Sequence, residues 1–233
     1  MNNLINIDSI LSSTIIDTPW PHKIIDNILS NEMFEKFKSA SIHLSKTEKD
    51  DEYYSDGIWP SDFDTLGLDE SLYQNTLDIA DQLLSCQEKL LEQFGNFLES
   101  KIGYYNIPRF NYSIEHGNSS IHDEGKSKTM ALVIYLIPET TNGTKLYNGP
   151  NPENLVSELE WKPNRAMLMI SQPGITWHSY KSNGVPRFTL NFYFEKMESL
   201  SNLDNFNLDR KLWFYDQMSK DRLYTLTSND KHR

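Results

Sequence analysis

The sequence predicts an α+β fold in which a helical N-terminal part packs on a β-rich core of the sandwich or jelly-roll kind. Three observations carry this. Apolar residues recur at helical spacing from Asp69 to Lys101 with no proline among them, as one buried helix face requires. After Gly103 the texture changes to short β-branched and aromatic runs separated by Gly, Asn and Pro, the signature of several short strands. No internal repeat or low-complexity stretch divides the 233 residues, a length that one sizeable core accounts for.

The elements follow in order. Lys23-Ile24-Ile25-Asp26 reads as a strand, and Ser30-Asn31-Glu32-Met33 as a cap opening a helix with Met33, Phe34 and Phe37 on its apolar side. From Ile42 to Gly67 a long irregular loop is expected, carrying Asp50, Asp51, Glu52, Asp56, Asp62 and Asp64 among Tyr53, Tyr54, Trp59 and Phe63. Its Tyr53 to Asp64 stretch is a candidate substrate lid; the plainer reading is a solvated loop anchored by Trp59. Asp69 to Lys101 forms one long helix or two consecutive ones, with Cys86 as a packed small hydrophobe rather than a nucleophile. Expected strands are Arg109 to Ile114, Lys128 to Ile137, Thr144 to Tyr147, Arg165 to Ser171, Trp177 to Tyr180 and Arg187 to Glu195. A final amphipathic helix from Asp209 to Ser219, with Leu212, Trp213, Tyr215 and Met218, is expected to cover the core. The single domain thus reads as a helical part (1–102), a β core (103–196) and a C-terminal helix and tail (197–233).

Charge and cysteine content narrow the function. Lys+Arg 22 against Asp+Glu 33 leaves a net charge of −11, which argues against a surface built for nucleic acid or anionic lipid. A single cysteine, Cys86, excludes an internal disulfide and a thiolate zinc site, so any metal must use histidine and carboxylate. The N-terminus shows no basic segment followed by an apolar one, and the longest apolar run, Met130 to Ile137, falls short of the roughly 20 residues that span a bilayer. A cytoplasmic protein with no membrane partner is expected.

The chemistry concentrates around two of the histidines. His122 lies in Ile121-His122-Asp123-Glu124-Gly125; residues two apart in an extended chain share a face, so His122 and Glu124 converge on one point. Asp123 faces away unless the chain turns there, and the choice between Asp123 and Glu124 stays open at this level. His178 follows near the end of the β-rich region. Two imidazoles and one carboxylate on one face make the facial triad that holds Fe(II) with positions left open. Arg187 opens Arg187-Phe188-Thr189-Leu190-Asn191-Phe192 nine residues later. Arg187 and Thr189 share a strand face, so guanidinium and hydroxyl can grip one carboxylate. A buried arginine without a protein carboxylate is costly, which makes a ligand carboxylate the economical partner. His116, in a Gly/Asn/Ser-rich segment, is a candidate ligand or substrate contact, against the plainer reading of a solvated loop histidine.

This ordered set resembles the 2-oxoglutarate- and Fe(II)-dependent dioxygenases, more narrowly their prolyl-hydroxylase-like branch. The residues that carry the resemblance are Tyr112, His122-Asp123-Glu124, Val133-Ile134-Tyr135-Leu136, Asn142-Gly143-Thr144-Lys145-Leu146-Tyr147, His178 and Arg187-Phe188-Thr189, with Pro19 to Leu29 similar to the opening strand and helix. It spans residues 19 to 196. The resemblance implies a double-stranded β-helix (jelly roll, cupin-like) core with the N-terminal helices packed on it. It implies His122, Glu124 and His178 as iron ligands, and Arg187 and Thr189 at the distal carboxylate of 2-oxoglutarate with Tyr112 and Tyr135 as further donors. Glu124 departs from the family pattern, where most members carry aspartate. The implied cofactors are Fe(II) and 2-oxoglutarate, with ascorbate as a reductant, and dioxygen is the co-reactant. The implied reaction is hydroxylation of an unactivated C–H bond of an amino-acid residue or small molecule, with release of succinate and CO2. The alternative is a catalytically inactive cupin-like binding or regulatory module.

Overall fold

The computed structural model describes residues 3–46, 58, 60–95, 104–113, 117–124 and 128–196. The expected helix from Asp209 to Ser219, His116, and half of the Tyr53 to Asp64 stretch, Trp59 included, lie outside the described residues.

Among the described residues four helices and nine strands follow one another: α1 (Ile7–Ser12), β1 (His22–Asp26), α2 (Asn31–Ser45), α3 (Glu70–Ser85), α4 (Gln87–Gln93), β2 (Tyr104–Ser113), β3 (Asn118–His122), β4 (Lys128–Ile137), β5 (Thr144–Tyr147), β6 (Leu155–Glu158), β7 (Arg165–Ile170), β8 (His178–Lys181) and β9 (Arg187–Lys196). The strands form a five-stranded sheet, β1-β7-β4-β9-β2, and a four-stranded sheet, β3-β8-β5-β6. Every pairing is antiparallel.

Strand periodicity sorts the side chains of the larger sheet. Met130, Leu132 and Ile134 of β4, Leu168 of β7 and Phe188, Leu190, Phe192 and Phe194 of β9 join one buried cluster with Met33, Phe37 and Leu44 of α2 and Ile79 and Leu83 of α3. The helices therefore cover this face, and each buried aliphatic or aromatic side chain contributes about 1.5–3 kcal/mol of transfer free energy. On the other face, Ala131, Met167, Met169 and Tyr193 pack with Trp20 and with Leu146 of the smaller sheet. The two sheets thus share an apolar contact, and β9 adds the buried polar side chains of Arg187, Thr189 and Asn191.

The helices form where their caps and stripes allow. The Ser30 side chain accepts the Met33 N–H at the start of α2, and Asp69 accepts the Ser71 N–H ahead of α3. Two helices rather than one follow, because the chain turns at Cys86, whose N–H and thiol both donate to the Leu83 carbonyl. Cys86 is buried, and burial pushes its thiol up to about 11, as an inert packed cysteine should show.

Several boundaries differ from expectation. α2 continues to Ser45, past the predicted loop start at Ile42, because Leu44 still falls on the buried stripe. β2 begins at Tyr104 rather than Arg109, held by the full-length β9 beside it. β7 ends at Ile170, and β8 runs from His178 to Lys181. Two strands escaped the sequence reading: β3 is polar and only half-buried, and β6 is a largely exposed edge. Neither shows the apolar alternation that marks a buried strand.

Candidate active site

His122 ends β3 and His178 begins β8, and the two are register partners in the smaller sheet. Their ring centroids lie 4.4 Å apart. Glu124, two residues beyond the strand, completes a group in which one ligand atom from each of His122, Glu124 and His178 lies within 4.8 Å of the others. His178 Nδ1 donates to the Thr176 carbonyl at 3.0 Å. His122 Nδ1 donates to the Ser120 carbonyl at 2.8 Å, with the Ser119 hydroxyl 2.9 Å away. These bonds place the remaining proton on Nδ1 and leave each Nε2 lone pair for a ligand, the usual outer support of a metal-binding imidazole.

Charge favours a cation at this point. The His178 and Glu124 side chains are 8% and 7% exposed, with Nε2 and Oε1 3.4 Å apart. Burial opposes ionisation of Glu124, but the adjacent His178 and Lys128 outweigh it and hold the carboxyl well below the usual range. Lys128 Nζ binds Glu124 Oε2. Burial lowers the pKa of His122, and the neighbouring His178 adds to this. A neutral imidazole at His122 with an ionised carboxylate is a donor set for a first-row divalent metal, so the residues fit such an ion. Asp123 lies apart: its Oδ2 accepts the Gly174 N–H at 2.6 Å.

Arg187 begins β9 on the face turned toward the smaller sheet. It is 4% exposed, and its guanidinium carbon lies 4.1 Å from the Tyr180 ring centre, 4.8 Å from Trp161 and 5.8 Å from Tyr135. Among the described residues Nη1 has no hydrogen-bond partner and no carboxylate forms an ion pair with the guanidinium. A buried guanidinium supported only by aromatic faces is an anion site awaiting its anion. Thr189 is also buried and pairs across the sheet with Tyr135. The Tyr135 ring stacks on Trp161 at 4.4 Å, and its hydroxyl is 2.7 Å from Thr144 Oγ1. Tyr112 pairs with Phe188 in the register; its side chain lies outside the described residues.

Strand β8 links the two halves of the site. His178 belongs to the metal-ligand group and Tyr180 touches Arg187, and residues two apart on a strand are separated by about 7 Å. A five-carbon dicarboxylate spans that interval. Sequence reasoning missed Tyr180, Trp161 and Lys128. Tyr180 carried a signal, since it shares strand parity with His178; Trp161 sits in a connection, and nothing in its local sequence points to Arg187.

No family model and no curated protein matches this chain. Solved structures do. A prolyl 4-hydroxylase from Phytophthora capsici aligns at 11% identity and a TM-score of 0.52, covering 89% of this chain and 76% of that one. SnoN, a non-heme alpha-ketoglutarate-dependent epimerase from nogalamycin biosynthesis, aligns at 10% identity and 0.51, covering 75% and 76%. A Pseudomonas putida prolyl-4-hydroxylase aligns at 13% identity and 0.49, covering 82% and 92%. The overlays above 0.5 establish a likeness of fold. In fold, the chain resembles the 2-oxoglutarate- and Fe(II)-dependent oxygenases, prolyl-hydroxylase-like members among them.

Proposed function

We propose that this protein is a 2-oxoglutarate-dependent Fe(II) dioxygenase that hydroxylates an unactivated C–H bond of an amino-acid residue or small molecule. The two antiparallel sheets are read as the halves of a double-stranded β-helix. His122, Glu124 and His178 hold the iron. Arg187 and Thr189 hold the distal carboxylate of 2-oxoglutarate, with Tyr135 and Tyr112 beside them. When bound, iron and cosubstrate supply dioxygen activation, with succinate and CO2 released.

The chain's own part is placement. The Nδ1 donors of His122 and His178 fix the rings, Lys128 holds one oxygen of Glu124, and the aromatic walls exclude water around Arg187. The observation that carries the reading is the buried Arg187 guanidinium, its Nη1 without a hydrogen-bond partner among the described residues, one strand interval from a His/Glu/His group.

Anaerobic titration of the metal-free protein with Fe(II) and 2-oxoglutarate tests it. The expected result is a visible charge-transfer band, lost in His178→Ala and weakened in Arg187→Ala. Wild type without the band and without metal affinity overturns the reading. A band without succinate formation under any substrate or uncoupled condition leaves a binding module instead of an enzyme.

A further inference from the structure

β9 turns Arg187, Thr189, Asn191 and Tyr193 toward the space between the sheets, and the function proposed above uses only the first two. Asn191 is 4% exposed. Its Nδ2 donates to the Tyr193 hydroxyl oxygen at 2.8 Å, while its Oδ1 has no partner among the described residues. The same hydroxyl oxygen receives a second amide donor, Asn111 Nδ2, at 3.1 Å. Two N–H groups therefore converge on one phenol oxygen while a buried carbonyl oxygen beside it goes unpaired.

A half-turn of the Asn191 carboxamide exchanges oxygen and nitrogen within the same shape. It also repairs the hydrogen bonding. The Tyr193 hydroxyl then donates to Asn191 Oδ1 and accepts from Asn111. The Asn191 amide N–H pair then occupies the buried position where the oxygen found no partner among the described residues. Its place on the strand says what it faces. Toward one end of β9 stand Thr189 and Arg187, two and four residues away. At the other end, Lys128 lies 3.9 Å from the Tyr193 ring centre and binds Glu124. A donor between the metal-ligand group and the buried guanidinium calls for a ligand that offers acceptors at its middle or near end. A 2-oxo dicarboxylate offers them there.

We infer that Asn191 is a further cosubstrate-binding residue. Resting on the site reading above, it donates an amide N–H to the 2-oxo-acid end of 2-oxoglutarate, while Arg187 and Thr189 grip the other end. Tyr193 acts through it as a positioning residue, locking the amide in the donating orientation.

The test is calorimetric titration of 2-oxoglutarate into Mn(II)-loaded protein, comparing wild type with Asn191→Ala, Asn191→Asp and Asn191→Thr. A hydrogen bond to a charged group is worth about tenfold or more in affinity. Asn191→Ala is expected to weaken binding by about that factor, and Asn191→Asp by more, because its carboxylate meets another anion. Asn191→Thr, which suits a strand and keeps a donor, should recover part of the loss. Thermal melts without ligand separate folding from binding. Wild-type affinity in both the Ala and Asp variants overturns the inference and leaves the site reading standing. Full affinity in Asn191→Asp with loss in Asn191→Ala overturns the donor role, since it shows an acceptor at work. A wild type that binds Mn(II) but no 2-oxoglutarate removes the cosubstrate reading itself.

Discussion

The Gly174 N–H donates to Asp123 Oδ2 across 2.6 Å, tying the segment that carries His122 and Glu124 to the loop that presents His178. The loop is braced from within: Gly174 adopts φ +78°, a conformation that favours glycine, and the Thr176 hydroxyl accepts the Gln172 N–H at 3.0 Å. At its end the Thr176 carbonyl receives His178 Nδ1. Asp123 thus acts on the metal-ligand group by fixing the distance between its parts. Replacing it with alanine should weaken Mn(II) or Co(II) binding by about fivefold, the scale of one partly exposed hydrogen bond. Asp123→Asn keeps an acceptor and should recover most of that affinity, whereas Glu124→Ala should abolish binding. Metal titrations of the three variants check this, and abolition by Asp123→Ala with tolerance of Glu124→Ala would reverse the roles of the two carboxylates.

Arg187 sets stability against function. A buried guanidinium without a counter-charge costs folding free energy, and an apolar side chain of similar length removes that cost. Arg187→Met should therefore melt higher than wild type in the absence of ligands, by about 2–4 °C for each kcal/mol gained at this chain length. The same variant should lose the upward shift in melting temperature that 2-oxoglutarate gives the Mn(II)-loaded wild type. Melting curves with and without cosubstrate read both effects. A ligand-free variant that melts lower would show that the charge is already satisfied in the folded protein.

Much of this was legible in the sequence, and the rest was hidden for identifiable reasons. β4 and β9 were plain because both their faces are buried, so nearly every residue of Met130 to Leu136 is apolar, and Phe188 to Phe194 alternates polar and apolar along one strand. Strand parity alone brought His122 toward Glu124 and Arg187 toward Thr189. β3 stayed hidden because Asn118-Ser119-Ser120 carries no apolar alternation; its place beside β8 is set by pairing, not by its own composition. The aromatic walls of Arg187 come from a β8 residue and from a connection between strands, contacts that spacing along one chain cannot show. Lys128 was read as the start of a strand, and its contact with Glu124 is made only in the folded chain.

Below about pH 4, acid should act on the far edge of the large sheet. The Arg165 guanidinium holds the Asp26 carboxyl down to about 2 against its usual 3.8, with burial opposing and Lys162 assisting. Because the folded value is depressed, the stabilisation is complete above about pH 3.8 and drains away as pH falls toward 2. Asp26 is 38% exposed, so solvent screening limits the contribution at neutral pH to under about 1 kcal/mol. Urea unfolding of wild type and Asp26→Asn at a series of pH values should show a small gap at pH 7 that closes between about 4 and 2. A gap independent of pH over that range would mean that the pair contributes nothing electrostatic.

Gly143 couples a backbone contact to the cosubstrate end of the site. A Cβ at this position would stand 1.6 Å from the Leu159 carbonyl oxygen and 2.7 Å from its carbon, and both are backbone atoms that cannot swing aside. The close approach seats the chain leading to Trp161, whose ring stacks on Tyr135 and faces Arg187. Thr144, the next residue, is bonded to the Tyr135 hydroxyl. Gly143→Ala must therefore push the 159–161 backbone away from β5, at a cost of about 1–3 kcal/mol as for other overpacked sites. Its functional effect should be one-sided, because the His122, Glu124 and His178 supports do not pass through this contact. We expect Mn(II) affinity near the wild-type value and 2-oxoglutarate affinity reduced severalfold, read from separate titrations of metal and cosubstrate. Equal loss of both would mean that the damage is global unfolding, and loss of neither would mean that Trp161 is not positioned through Gly143.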